Sequence, residues 1–109
     1  MVGKAYTAKP QESQLRVLNL SSNHIGKYEG FFTGLGFLSN CLMELNLSQN
    51  FIEHISFNEG DKNSLFGLNQ LRSLDLSNNQ ISHISWNGHL FTEPNQALKT
   101  IDLSYNQIS

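Results

Sequence analysis

One eleven-residue phrase returns four times along the chain, and self-similarity at a fixed step constrains the architecture before any local propensity does. "LRVLNLSSNHI" carries Leu15, Leu18, Leu20, Asn23 and Ile25, and "LMELNLSQNFI" carries Leu42, Leu45, Leu47, Asn50 and Ile52. "LRSLDLSNNQI" carries Leu71, Leu74, Leu76, Asn79 and Ile81. The fourth copy, "LKTIDLSYNQI", has Leu98, Ile101, Leu103, Asn106 and Ile108, with isoleucine in the middle slot. From asparagine to asparagine the steps are 27, 29 and 27 residues.

The phrase has a physical reading. Side chains alternate along a strand, so Leu74 and Leu76 point to one face while Ser73, Asp75 and Ser77 point to the other. Leu71 and Ile81 bracket the strand and turn inward. The asparagine falls where the chain bends away, a place that would leave backbone donors and acceptors buried. Its amide supplies both donors and an acceptor, so Asn23, Asn50, Asn79 and Asn106 form a structural column that bonds backbone groups at each turn. Successive coils then stack with strands about 4.8 Å apart in a parallel sheet along one side of a solenoid.

With these residues the chain resembles the leucine-rich repeat family, whose signature L-x-x-L-x-L-x-x-N-x-L all four copies match with Ile in the final slot. The resemblance covers nearly all of Leu15 to Ser109. It implies an α/β fold: a right-handed solenoid forming part of a horseshoe, its parallel sheet on the concave side and loops with short helical turns on the convex side. The step is that of the long-repeat, ribonuclease-inhibitor-like branch, whose outer segments are helices. "EGFFTGLGFLSN", however, has three glycines and is poor helix material. "NEGDKNSLFGLNQL" looks like a loop followed by an F-x-x-L-type outer segment with Phe66, Leu68 and Leu71. Short helical turns are expected rather than full helices.

Inward anchors also recur in the return segments. Tyr28, Ile55 and Ile84 lie three residues after the motif isoleucine, Phe57 and Trp86 two residues later, and Phe32, Phe66 and Phe91 precede the next strand. The seven Phe and one Trp read as filler between sheet and outer wall.

A chain of 109 residues, 39% hydrophobic and 15% charged, suffices for one small domain. Residues 1–14 form a non-repeat segment and residues 15–109 the repeat domain, with the last motif incomplete. No stretch approaches the roughly 20 apolar residues of a membrane span. "MVGKAYTAKPQESQ" has no apolar core and does not read as a secretory signal, and it lacks the cysteines of the disulfide-linked cap on many extracellular members of the family. The single Cys41 cannot form an internal disulfide. These features favour a cytoplasmic setting, with an extracellular one the alternative for a piece of a receptor. The fourth motif is followed by no cap, so further repeats or a capping chain are expected at that edge.

Candidate chemistry is sparse. His54 and His83 occupy matching places in "IEHIS" and "ISHIS", one coil apart, yet a structural zinc site takes four ligands and nothing completes the set. They read as solvent-facing polar residues between inward isoleucines. Cys41 aligns with Gln70 and Ala97, a slot with no need of sulfur. Asp75 and Asp102 share a column as a conceivable acid and base pair, but Asn19 and Asn46 fill the same slot, which marks an ordinary exposed strand position. "GLG" at Gly34 to Gly36 lacks the remainder of a phosphate loop. No enzyme is expected, and no cofactor or metal. Seven Lys and Arg against nine Asp and Glu, scattered, argue against nucleic acid. The "NLS" tripeptides at Asn19 and Asn46 arise from the motif itself.

The concave strand face remains as the expected protein-binding surface. Its columns are Val17, Glu44, Ser73 and Thr100; Asn19, Asn46, Asp75 and Asp102; and a uniform row of Ser21, Ser48, Ser77 and Ser104. Specificity falls to the varied slots: Val17, Glu44, Ser73 and Thr100, with Asp75 and Asp102 beside them. Arg16, Met43, Arg72 and Lys99 flank them on one side and Ser22, Gln49, Asn78 and Tyr105 on the other. Tyr105 and Arg72 have the side chains most frequent at binding hot spots. The alternative function is a structural spacer within a larger receptor or effector, with recognition elsewhere.

Overall fold

The structure, a computed structural model, describes residues 14–27, 30–58, 60, 61, 64–85 and 97–108. Tyr28, Trp86, His89 and Phe91 lie outside the described residues, as does the segment 1–14 apart from Gln14.

Each copy of the phrase supplies one three-residue strand: β1 (Val17–Asn19), β2 (Glu44–Asn46), β4 (Ser73–Asp75) and β6 (Thr100–Asp102). They form one parallel sheet in the order β1-β2-β4-β6. Leu18, Leu45, Leu74 and Ile101 are in register, so the motif's central apolar residue makes one continuous row. Leu45 and Leu74 are buried, as are Leu42, Leu47, Leu71, Leu76, Ile52 and Ile81 from the two middle copies. Leu15 and Ile108 are exposed, whereas their counterparts packed between coils are not. This is the nearest-neighbour logic of stacked repeats: a coil buries its apolar edge only against the coils beside it.

Asparagines close each turn as expected. Asn50 Oδ1 accepts from the N–H of Asn23 and Ile25, and Asn50 Nδ2 donates to the carbonyls of Leu20 and Ser48. Asn79 repeats the pattern one coil on, and Asn106 Oδ1 accepts from Ile81 N–H while its Nδ2 donates to Leu76, Leu103 and Ser104. One side chain thus bonds its own coil and the one before it.

The return segments hold short 3₁₀ helices at Ile25–Lys27 and Thr33–Leu38 rather than full helices. They also hold strands where only loops and short helical turns are expected: β3 (His54–Ser56) and β5 (His83–Ser85) pair in parallel as a second, two-stranded sheet. Ile55 is buried and Ile84 partly so, the anchoring expected of them. Burial does not alternate along β3, where Ser56 is as fully buried as Ile55.

The aromatic filler needs one correction. Phe32 and Phe57 are buried, but Phe66 is 40% exposed and Phe37 56%. Their places are taken by Leu35 and Leu38 in one coil and by Leu65 and Leu68 in the next, all buried. The spacing explains it. In a 3₁₀ turn residues three apart eclipse, so Phe32, Leu35 and Leu38 share the inner face and Phe37 is turned off it. Leu65, Leu68 and Leu71 have the same spacing of three, and Phe66 falls one residue out of step.

Candidate functional site

The outward side of the four-stranded sheet is assembled from rows, because the parallel register places equivalent residues of successive coils side by side. Val17, Glu44, Ser73 and Thr100 are paired in register, as are Asn19, Asn46, Asp75 and Asp102. The columns read from the sequence are therefore the rows of the sheet. Val17 is 57% exposed and Glu44 and Thr100 are exposed, while Ser73 is half-buried.

Arg16, Met43, Arg72 and Lys99 form the row before the strands, held by main chain. Arg16 O accepts from Met43 and Glu44 N–H, Met43 O from Arg72 and Ser73 N–H, and Arg72 O from Lys99 and Thr100 N–H. Arg16, Arg72 and Lys99 project into solvent, and the Arg16 guanidinium lies 3.9 Å from Met43 Sδ.

On the far side run Ser22, Gln49, Asn78 and Tyr105. All four have φ between 56° and 61°, the left-handed region that non-glycine residues rarely occupy. The conformation recurs because it lets the chain bend into the asparagine turn while the N–H of Ser22, Gln49 and Asn78 still bonds the serine carbonyl of the next coil. Tyr105, at 79% exposure, is held out by this bend. Gln49 and Asn78 are exposed as well, and Ser22 Oγ donates to Gln49 Oε1.

The Asn/Asp row has a role that sequence reasoning missed. Asn19, Asn46, Asp75 and Asp102 each accept, through Oδ1, the N–H of the serine two residues on. In the two aspartate copies the Ser77 and Ser104 hydroxyls donate to the same oxygen, at 2.7 and 2.6 Å. These are Asx turns that start the bend, and amide and carboxylate supply the acceptor equally well. The recurring Asn/Asp-Leu-Ser triplet was the available signal. Asp75 and Asp102 are neighbours, but each carboxylate is occupied by its own serine. The Ser104 hydroxyl and N–H hold the Asp102 carboxyl below its ordinary value of 3.8, opposed by a smaller effect of burial.

Elsewhere, Phe51 is 39% exposed at φ 61°, with the His24 ring stacked on it at 5.2 Å between centroids and Lys27 Nζ 5.7 Å from its ring. Its carbonyl approaches Gly26 so closely that a Cβ there would lie 2.0 Å from the oxygen, which requires glycine. Cys41 is half-buried with Sγ 3.7 Å from Leu38 O. A cavity of ≈ 190 Å³ between outer segments is lined by Phe32, Leu35, Asp61, Phe66 and Leu68 among others. It is smaller than the ~300 Å³ at which drug-sized ligand sites begin. Among the described residues no group of three or more His, Cys, Asp and Glu side chains is placed to hold a metal ion, and no helix is long and apolar enough to cross a membrane.

Family models described as Leucine Rich Repeat match residues 70–90 and residues 13–27 and 95–109. No curated protein and no solved structure matches the chain. The chain thus carries leucine-rich repeats, matched at three places, on parallel strands whose central Leu18, Leu45, Leu74 and Ile101 stand in register.

Proposed function

We propose that this chain is a non-catalytic protein-binding module that engages a partner through the outward, concave side of its four-stranded sheet. The carrying observation is the composition of the rows. Structural duties consume the leucine, asparagine and Asn/Asp positions, while Arg16, Val17, Glu44, Arg72, Lys99, Thr100 and Tyr105 remain exposed along both flanks of the strands. Charged, apolar and aromatic groups on a main-chain-locked surface suit recognition of another protein, where Tyr and Arg contribute most per residue. Met43, Gln49, Ser73, Asp75, Asn78 and Asp102 complete the proposed contact surface.

Photo-crosslinkers placed singly at Val17, Thr100 and Phe37 test this in the full-length protein. The strand-face positions are expected to trap a protein partner and Phe37, on a return segment, to trap none. Glu44→Lys with Tyr105→Ala is then expected to weaken the trapped partner's binding by at least tenfold, about 1.4 kcal/mol. Unchanged binding with intact circular dichroism would leave the repeats a spacer and overturn the reading. Asp75 should be tested only as Asp75→Asn, which removes charge but keeps the Asx acceptor.

A further inference from the structure

We propose that His54 and His83 form a two-imidazole site for a divalent first-row transition ion, Cu²⁺ foremost, that ties two adjacent coils together. The two histidines are register partners on β3 and β5. His54 is half-buried and His83 exposed, each next to the strand's central isoleucine. Their ring centroids are 5.0 Å apart with planes tilted by 48°.

That separation is compatible with a shared ion. A metal bound to an imidazole nitrogen at about 2.0–2.1 Å lies about 3.2 Å from the ring centroid, so two rings on one ion have centroids about 5.2 Å apart at the tetrahedral angle and about 4.5 Å apart at 90°. The observed value falls between these limits. Tilted rings suit coordination, whereas a close parallel stack would leave no room for an ion. Ser85 adds a supporting group: its Oγ is 3.1 Å from His54 Nε2. A metal-bound imidazole characteristically gives its other N–H to such a neighbour.

The ligand class follows from the donors. Imidazole suits Cu, Zn and Ni, and the affinity order of divalent ions places Cu²⁺ highest. With two protein ligands, the remaining coordination positions go to water, so the site is open. Ion binding links coil two to coil three through side chains, in addition to the backbone ladder between β3 and β5.

Untagged full-length chain is titrated with Cu²⁺ in a non-coordinating buffer, by calorimetry and by electron paramagnetic resonance. The expected result is about one ion per chain with a spectrum showing nitrogen ligation, at least a tenfold affinity loss in His54→Gln and in His83→Gln, and no change in His24→Gln. A rise in melting temperature with Cu²⁺, absent in the double variant His54→Gln/His83→Gln, is also expected because binding to the folded state stabilises it. Circular dichroism of the glutamine variants checks that both remain folded; should either not, nitrogen-15 shifts of the wild-type imidazoles on adding Zn²⁺ decide the matter. Undiminished binding in the folded double variant, unmoved His54 and His83 resonances, or no binding at millimolar Cu²⁺ would overturn the proposal.

Discussion

At the scale of the residue, asparagine is the side chain on which the coil depends. Asn79 is buried, its Oδ1 accepts from the N–H of Asn50 and Ile52 at 2.8 and 3.0 Å, and its Nδ2 donates to three carbonyls. Asn79→Ala leaves those groups unpaired away from water, and is expected to cost about 3–5 kcal/mol in urea denaturation. Asn23→Ala, at an exposed position, is expected to cost about 1 kcal/mol. Comparable costs would show that the inter-coil bonds contribute little. Asp102 titrates below its ordinary range in the folded chain because of Ser104. The stabilisation from a lowered carboxyl pKa is present above the unfolded value and is lost as pH falls through the folded one. Ser104→Ala is expected to move the Asp102 midpoint up toward 3.8, read from its carboxyl carbon-13 shift, and an unmoved midpoint would deny the hydroxyl its role. The asparagine column was legible because its residue never varies. The Asx row was not, since Asn fills it in two copies and Asp in two, and their shared acceptor oxygen matters more than their identity.

At the scale of the element, the return segments diverge from simple expectation. A spacing of three selects Leu35 and Leu38 over Phe37, so size and hydrophobicity do not decide which residue is inside. Leu38→Ala is expected to destabilise by about 2–4 kcal/mol and Phe37→Ala by less than about 0.5, measured by thermal or urea unfolding. A large effect at Phe37 would contradict the facing assigned to it. The second ladder was hidden for a related reason. Three residues of "HIS" have too little length to declare a strand, and β3 exists because β5 lies one coil away at the same register. Its pairing is a property of the stack.

At the scale of the whole molecule, recurrence turns a linear pattern into a surface. Parallel register converts a step of 27 to 29 residues into rows one strand apart, which is why equivalent strand positions can be aligned from the sequence. What the rows bind is a different matter, because chemical variety on an exposed face identifies a partner's character only when the partner is present. The sequence by itself determined the repeat, the inward leucines, the asparagine turns and the order of strands in the main sheet. These follow from two local rules, alternation along a strand and satisfaction of buried backbone groups. Only the tertiary structure decided which aromatic rings face inward, that the Asn/Asp row starts each bend, that Ser22, Gln49, Phe51, Asn78 and Tyr105 take the left-handed conformation, and that His54 meets His83 at 5.0 Å. Each of those depends on the distance between one coil and the next, a quantity set by packing across the stack and written in no single repeat.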